Sequence, residues 1–251
     1  MLCVEGEGPL LRVTLSRPEV KNALNDTLIG DLSSIFQNLP AAVRVVVLSA
    51  VGDTFSAGGD LEWMRRAAGY SEQQNYEDAL KLFNLFKAIS TCRAAVIAKV
   101  NGNAFGGGCG LVAASDYALC VPGARFSFSE VKLGLVPATI SPLVIQKIGA
   151  GHARALFTTG KLFDVGHALA IGLIHELADS EILESRAMAV VKSVLSAGPN
   201  AVAESKKLAA GPILCGEEAA RLLARVRATP EAQEGLSAFL EKRKPSFAVE
   251  P

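Results

Sequence analysis

Two glycine-rich turns hold the residues of this 251-residue chain best placed, by type and spacing, to do chemistry. The first is Phe55-Ser56-Ala57-Gly58-Gly59-Asp60. The second is Asn101-Gly102 leading into Gly106-Gly107-Gly108-Cys109-Gly110. Each follows a β-branched run and precedes an apolar helical pattern, so each reads as a strand-to-helix turn. Glycine there lets backbone N–H groups approach a ligand closely, and the helix N-terminus adds positive potential. The same glycines equally suit a tight turn or close packing. No Gly-Lys-Ser/Thr follows, which disfavours a phosphate loop, and the spacing departs from the dinucleotide fingerprint. Two such turns on successive units instead suit a pair of amides converging on one oxygen, an oxyanion hole.

The elements that must hold these turns are legible as runs and stripes. Residues 11–15, 45–48, 95–100, 117–121 and 125–128 read as buried strands. Between the first two, Leu28, Ile29, Leu32, Ile35, Phe36 and Leu39 form one helical stripe, with Asp26 expected as N-cap and Pro40 closing it. A long helix starts at Ser71, with Gln74 completing a capping box, and carries Leu82, Phe83, Phe86 and Ile89 inward. Strands alternating with helices predict an α/β domain. After residue 141 helical patterning takes over. Asp164 and Gly172 bracket a short helix, and helix formers start again near Glu181, Asn200, Glu217 and Pro230. The expected division is a core domain over 1–190 and a helical region over 191–251.

Composition bounds the function classes. Lys and Arg number 25 against 25 Asp and Glu, and half the chain is hydrophobic. That length and apolar content support a substantial core. Zero net charge argues against nucleic acid as a partner and against disorder. The longest charge-free stretch, Val100 to Ser115, contains five glycines and two asparagines, a poor membrane span. No basic segment precedes an apolar one at the start, so no secretory signal is expected. Five cysteines without a C-x-x-C pair and three histidines suggest free thiols in a reducing cytoplasm, with no metal cluster.

The chain resembles the crotonase, or enoyl-CoA hydratase/isomerase, family over essentially its whole length. The matching stretches are Leu15-Ser16-Arg17-Pro18 through Asn22-Ala23-Leu24-Asn25, Phe55 to Asp60, and Asn101-Gly102 through Gly108. Further on come Phe126 through Glu130 to Leu135, and the tail from Glu234-Gly235 through Phe239, Lys242 and Phe247. Glu62-Trp63-Met64, Gly69-Tyr70-Ser71 and the stretch from Val136 to Pro142 look most like the 3-methylglutaconyl-CoA hydratase branch, an activity of leucine catabolism. The resemblance implies a ββα spiral core and a C-terminal α-helical region that trimerises, giving a homotrimer or a dimer of trimers. It implies an acyl-CoA thioester substrate whose oxygen binds the N–H groups of Gly59, after Ala57-Gly58, and Gly107. It implies no metal or redox cofactor, coenzyme A arriving as part of the substrate. It places Lys21 and Lys242 near the coenzyme phosphates, Ala23 and Leu24 beside the adenine, and Phe239 in a neighbouring subunit's acyl pocket.

Family hydratases commonly use two glutamates. The resemblance assigns one to Glu130, whereas the other position is Gly110. Adding water requires a base for the water and an acid at Cα, while shifting a double bond needs one base that returns the proton elsewhere. A lone glutamate tilts the chemistry toward isomerisation, and the branch resemblance pulls it back toward hydration. Decarboxylation of an acyl-CoA, or binding without catalysis, are the other readings. Phe126, Phe128, Leu133 and Leu135 are expected to surround Glu130 and raise its pKa. The alternative is a surface Glu130 paired with Lys132. Asp60 and Glu62 are candidate stand-ins for the missing carboxylate, although Asp60 suits a helix cap and Glu62 a solvated surface. Asp116 reads as structural. Cys109 reads as packing, with a helix-start position that would lower its pKa. The family's dehalogenase nucleophile position is Ala138, which disfavours that chemistry, and His152, His167 and His175 fall outside both turns.

Overall fold

The run Val45–Ala50, VVVLSA, is apolar, β-branched and too short for a helix, the composition of a strand covered on both faces. A computed structural model describes residues 1–6 and 8–251 and makes this run the third strand. The chain opens with an antiparallel pair, β1 (Leu2–Glu5) and β2 (Leu10–Leu15), followed by α1 (Asp26–Gln37) and β3 (Val45–Ala50). From β3 onward one order repeats: a strand of the first sheet, a short strand of a second sheet, then helix. It runs β3, β4 (Thr54–Ser56), α2 (Leu61–Ala67) and α3 (Glu72–Thr91). It continues as β5 (Ala95–Val100), β6 (Asn103–Phe105) and α4 (Gly107–Ala114). The third turn is β7 (Tyr117–Cys120), β8 (Arg125–Ser127), a 3-10 turn at Glu130–Leu133 and α5 (Ser141–Thr159). After β9 (Phe163–Asp164), α6 (Val165–Ala170) and β10 (Glu176–Leu177) come α7 (Ser180–Leu195), α8 (Pro199–Ala210), α9 (Gly216–Arg227) and α10 (Pro230–Leu240).

The first sheet has the order β1-β2-β3-β5-β7-β10 and is parallel beyond β1. The second, β4-β6-β8-β9, is parallel until β9. The two sheets advance together, one strand each per turn, and the ββα units wind into a spiral. Period-two alternation divides the core across the first sheet. Val46 and Leu48 face Leu28, Leu32, Phe86 and Leu111, whereas Val45 and Val47 face Leu183, Ala187, Val191 and Leu195 of α7. Those four are spaced as one helical stripe, and each Val or Leu fully buried there contributes about 1.5–3 kcal/mol. The expected division at residue 190 falls inside α7.

Several local expectations hold. Ser71 and Gln74 form the reciprocal capping box, and Asp164 caps α6 by accepting the His167 N–H at 2.8 Å. Gly172 follows α6 with φ +78°. The cap of α1 is corrected: Asn25 accepts the Leu28 N–H at 2.9 Å, and Asp26 is the first helical residue. The last residues fold back beside the start of β3. Arg44 donates to the Phe247 carbonyl at 2.6 Å and to the Ala197 carbonyl. Val249 donates its N–H to the Leu195 carbonyl at 3.2 Å, which ties the tail to the end of α7. Among the described residues, no helix is long and apolar enough to cross a membrane.

Candidate active site

The first turn is held by a short parallel bridge between Leu24 and Gly59. Leu24 donates its N–H to Gly58 O at 2.6 Å, and Asp60 donates its N–H to Leu24 O at 2.9 Å. Gly59 lies between those two bonded residues, so its own N–H faces away from the 22–25 segment. Gly58 has φ +87°, and a Cβ there would stand 2.7 Å from Phe105 O and 3.5 Å from Gly107 N. Only glycine permits that approach, which lays the first turn against the second.

Gly107 is the first residue of α4, where an N–H has no partner within the helix. The first bond of α4 runs from Gly110 N–H to Gly106 O at 3.1 Å. A Cβ on Gly107 would meet Leu24 Cδ1 at 2.9 Å, and one on Gly108 would meet Ser56 O at 2.5 Å. Leu24 therefore touches both turns, through its backbone at Gly59 and its side chain at Gly107.

Glu130 opens the 3-10 turn after β8 and is half-buried. Its Oε1 lies 3.1 Å from where a Gly106 Cβ would be, which puts the carboxyl over the second turn. Its Oε2 is buried and has no hydrogen-bond partner among the described residues. Burial pushes its pKa up, opposed by its own backbone N–H. Phe126 and Phe128 are fully buried and pack against Phe163. Leu133 and Leu135 are 62% and 53% exposed, one ending the 3-10 turn and the other just past its Gly134 cap, so neither is part of the expected buried wall. Lys132 is exposed and forms no ion pair with Glu130 among the described residues.

Gly110 is crowded. A Cβ there would stand 2.5 Å from Ile140 Cγ2 and 2.8 Å from Phe86 Cζ. The space in which a second carboxylate would begin is filled by α3 and by the residue capping α5. Neither proposed stand-in is free to replace it. Asp60 caps α2 through the N–H groups of Glu62 and Trp63 and pairs with Arg17 at 2.9 Å. Glu62 is exposed and pairs with Arg65. Cys109 is buried, and burial raises its pKa, the opposite of the shift expected for a helix start.

Sequence reasoning missed the fastening of the first turn. Arg17 donates to Asp60 and to the Ala23 carbonyl, and its N–H donates to the Asn22 side chain. Asn22, buried with φ +53°, donates to the carbonyls of Val51 and Thr54. Burial raises the Asp60 pKa, and Arg17 with the two helix N–H groups pulls it below the ordinary value. Asp78 on α3 was also missed; burial raises its pKa beside Lys81 and Trp63. Met64 and Trp63 would meet a Gly59 Cβ at 3.3 and 3.8 Å.

The structure thus brings Ala23, Leu24, Ala57, Gly58, Gly59, Gly107 and Glu130 into one region. Lys21 adjoins it with an exposed side chain, its carbonyl accepting the Ala57 N–H at 2.9 Å. Phe239 and Lys242 lie at the end of α10, both exposed, and no described hydrogen bond joins them to the turns.

A family model described as enoyl-CoA hydratase/isomerase matches residues 5–250. The crotonyl-CoA hydratase of Syntrophomonas wolfei is 31% identical, covering 98% of this chain and 97% of that protein. A crystal structure of an enoyl-CoA hydratase from Shewanella pealeana superposes with a TM-score of 0.92 at 35% identity, covering 98% of this chain and 95% of that one. Pseudomonas aeruginosa AtuE superposes with a TM-score of 0.93 at 33% identity over 99% of both chains.

Proposed function

The chain belongs to the enoyl-CoA hydratase/isomerase family, and on that premise we propose that it processes an acyl-CoA thioester through an enolate. The thioester oxygen takes hydrogen bonds from Gly59 and Gly107, each such donor lowering the barrier by about 3 kcal/mol. Glu130 is the acid/base. The observation that carries this reading is the buried, unpartnered Glu130 Oε2 beside the turn that opens α4. Lys21 and Lys242 bind the coenzyme phosphates, Ala23 and Leu24 flank its adenine, and Phe239 reaches a neighbouring subunit. Helices α8–α10 carry self-association, as a homotrimer or a dimer of trimers, in a reducing cytoplasm.

The crowding at Gly110 favours a second reading, a double-bond shift of a 3-enoyl thioester. Glu130 removes a proton from Cα, the electron pair moves onto the thioester oxygen, and the protonated Glu130 returns the proton at Cγ. Hydration of the 3-methylglutaconyl kind would need Glu130 to make both proton transfers in one concerted arrangement, or a second group to carry one of them.

The test is proton exchange in deuterated water. Saturated and unsaturated acyl-CoAs are incubated with wild type and Glu130→Gln, and product masses are followed. Wild type is expected to wash deuterium into Cα, with Glu130→Gln slower by roughly 10²–10⁴-fold. A mass gain of water marks hydration, label confined to Cα marks enolisation alone, and label at Cγ without added water marks a shifted bond. No label and no turnover across the panel would overturn the enzymatic reading.

A further inference from the structure

Helix α4 carries Gly107 at one end, and its other end is held by a lysine that no step above uses. Lys147, half-buried on α5, donates to the Ser115 carbonyl at 2.5 Å, its one acceptor among the described residues. Lys206 on α8 is fastened differently. It donates to Asp116 at 2.8 Å and to the carbonyls of Ala94 and Ile89 at 3.0 and 3.4 Å. Asp116 is occupied in turn, accepting the Val96 N–H at 2.7 Å.

Both lysines line a cavity of about 200 Å³. Leu143, Ala113, Ala209 and Ala210 give it an apolar wall, space of a kind that suits a short hydrocarbon chain. Three titratable groups bear on Lys147: Asp116 after α4, Lys206 on α8 and His175 before β10. Burial lowers the Lys147 pKa, Asp116 opposes and Lys206 adds to the lowering, leaving it at about 8. At pH 7.5 roughly a quarter of such an amine is neutral, against about 0.1% of an ordinary lysine.

We propose that Lys147 is an acylation site, whose amine takes the acyl group of a small acyl thioester into the adjoining cavity. The nitrogen lone pair attacks the thioester carbonyl carbon, an N–C bond forms and the C–S bond breaks. The departing thiolate takes the proton that nitrogen releases, leaving an amide and a free thiol. The site shares its ligand class with the proposed function and none of its catalytic residues. Acylation removes the cation at the end of α4 opposite Gly107.

The test incubates the full chain with acetyl-CoA, which has no double bond to hydrate or shift, and maps modified peptides over time. At pH 7.5 Lys147 is expected to react at least about tenfold faster than the exposed Lys132 and Lys161. Its rate should level off above pH 8 while theirs keep rising. Glu130→Gln should be labelled at the wild-type rate, so loss of enoyl-CoA turnover leaves this result standing. Lys147→Arg should remove the fast phase. A Lys147 rate no greater than that of the exposed lysines, or a fast phase surviving in Lys147→Arg, would overturn the proposal.

Discussion

Glu130 sits where a carboxylate is reluctant to ionise: half-buried, one oxygen unpartnered, no described cation paired with it. Its raised pKa fixes the sign of two pH effects. As a base it acts only when ionised, so the acid limb of kcat/KM should lie above the ordinary value of 4.5. A pH–rate profile with its acid midpoint at or below 4.5 would remove Glu130 from the role of base. Stability runs the other way. The folded state holds this proton more tightly than the unfolded state, so the contribution is present at low pH and lost as pH rises through the raised value. Gly110 illustrates the same scale from the opposite side. Its missing side chain is a packing requirement, with Ile140 and Phe86 occupying the space.

At the scale of elements, the first turn is a short bridge strapped down by an ion pair. Arg17 and Asp60 are 13% and 8% exposed, so removing one partner leaves a nearly buried charge. Arg17→Met is expected to destabilise the fold by about 3–5 kcal/mol, read from the urea midpoint. An unchanged midpoint would show that the strap contributes nothing. Because the Asp60 pKa is lowered, its contribution is present above the unfolded value and lost as pH falls below 3.8. The pair could not be read from the sequence: its partners are 43 positions apart, and charge pairing leaves no period. The long elements were legible because burial leaves a pattern, an unbroken apolar run in β3 and a stripe on α1, and because the α3 capping box is written in its residue types. β4, β6 and β9 have two or three residues, too few to show alternation. The two turns were visible through their glycines, whereas the exposure of Leu133 goes with a 3-10 turn that apolar pattern does not reveal.

At the scale of the whole molecule, the spiral core is covered on both faces while its last helices are not. α9 buries none of its residues, and Leu223, Leu236, Phe239 and Leu240 are exposed. The proposed self-association would cover these apolar side chains. Sedimentation is expected to give three or six times the 26.3 kDa chain mass, and a single 26.3 kDa species would overturn the proposed self-association. The tail carries a different consequence. Arg44 and Phe247, which it bonds, are separated by 203 positions. Pairings so distant in sequence close late, because the intervening chain must first be gathered in. During synthesis, the lead into β3 therefore waits for residues 247–249 to leave the ribosome before its hydrogen bonds are complete.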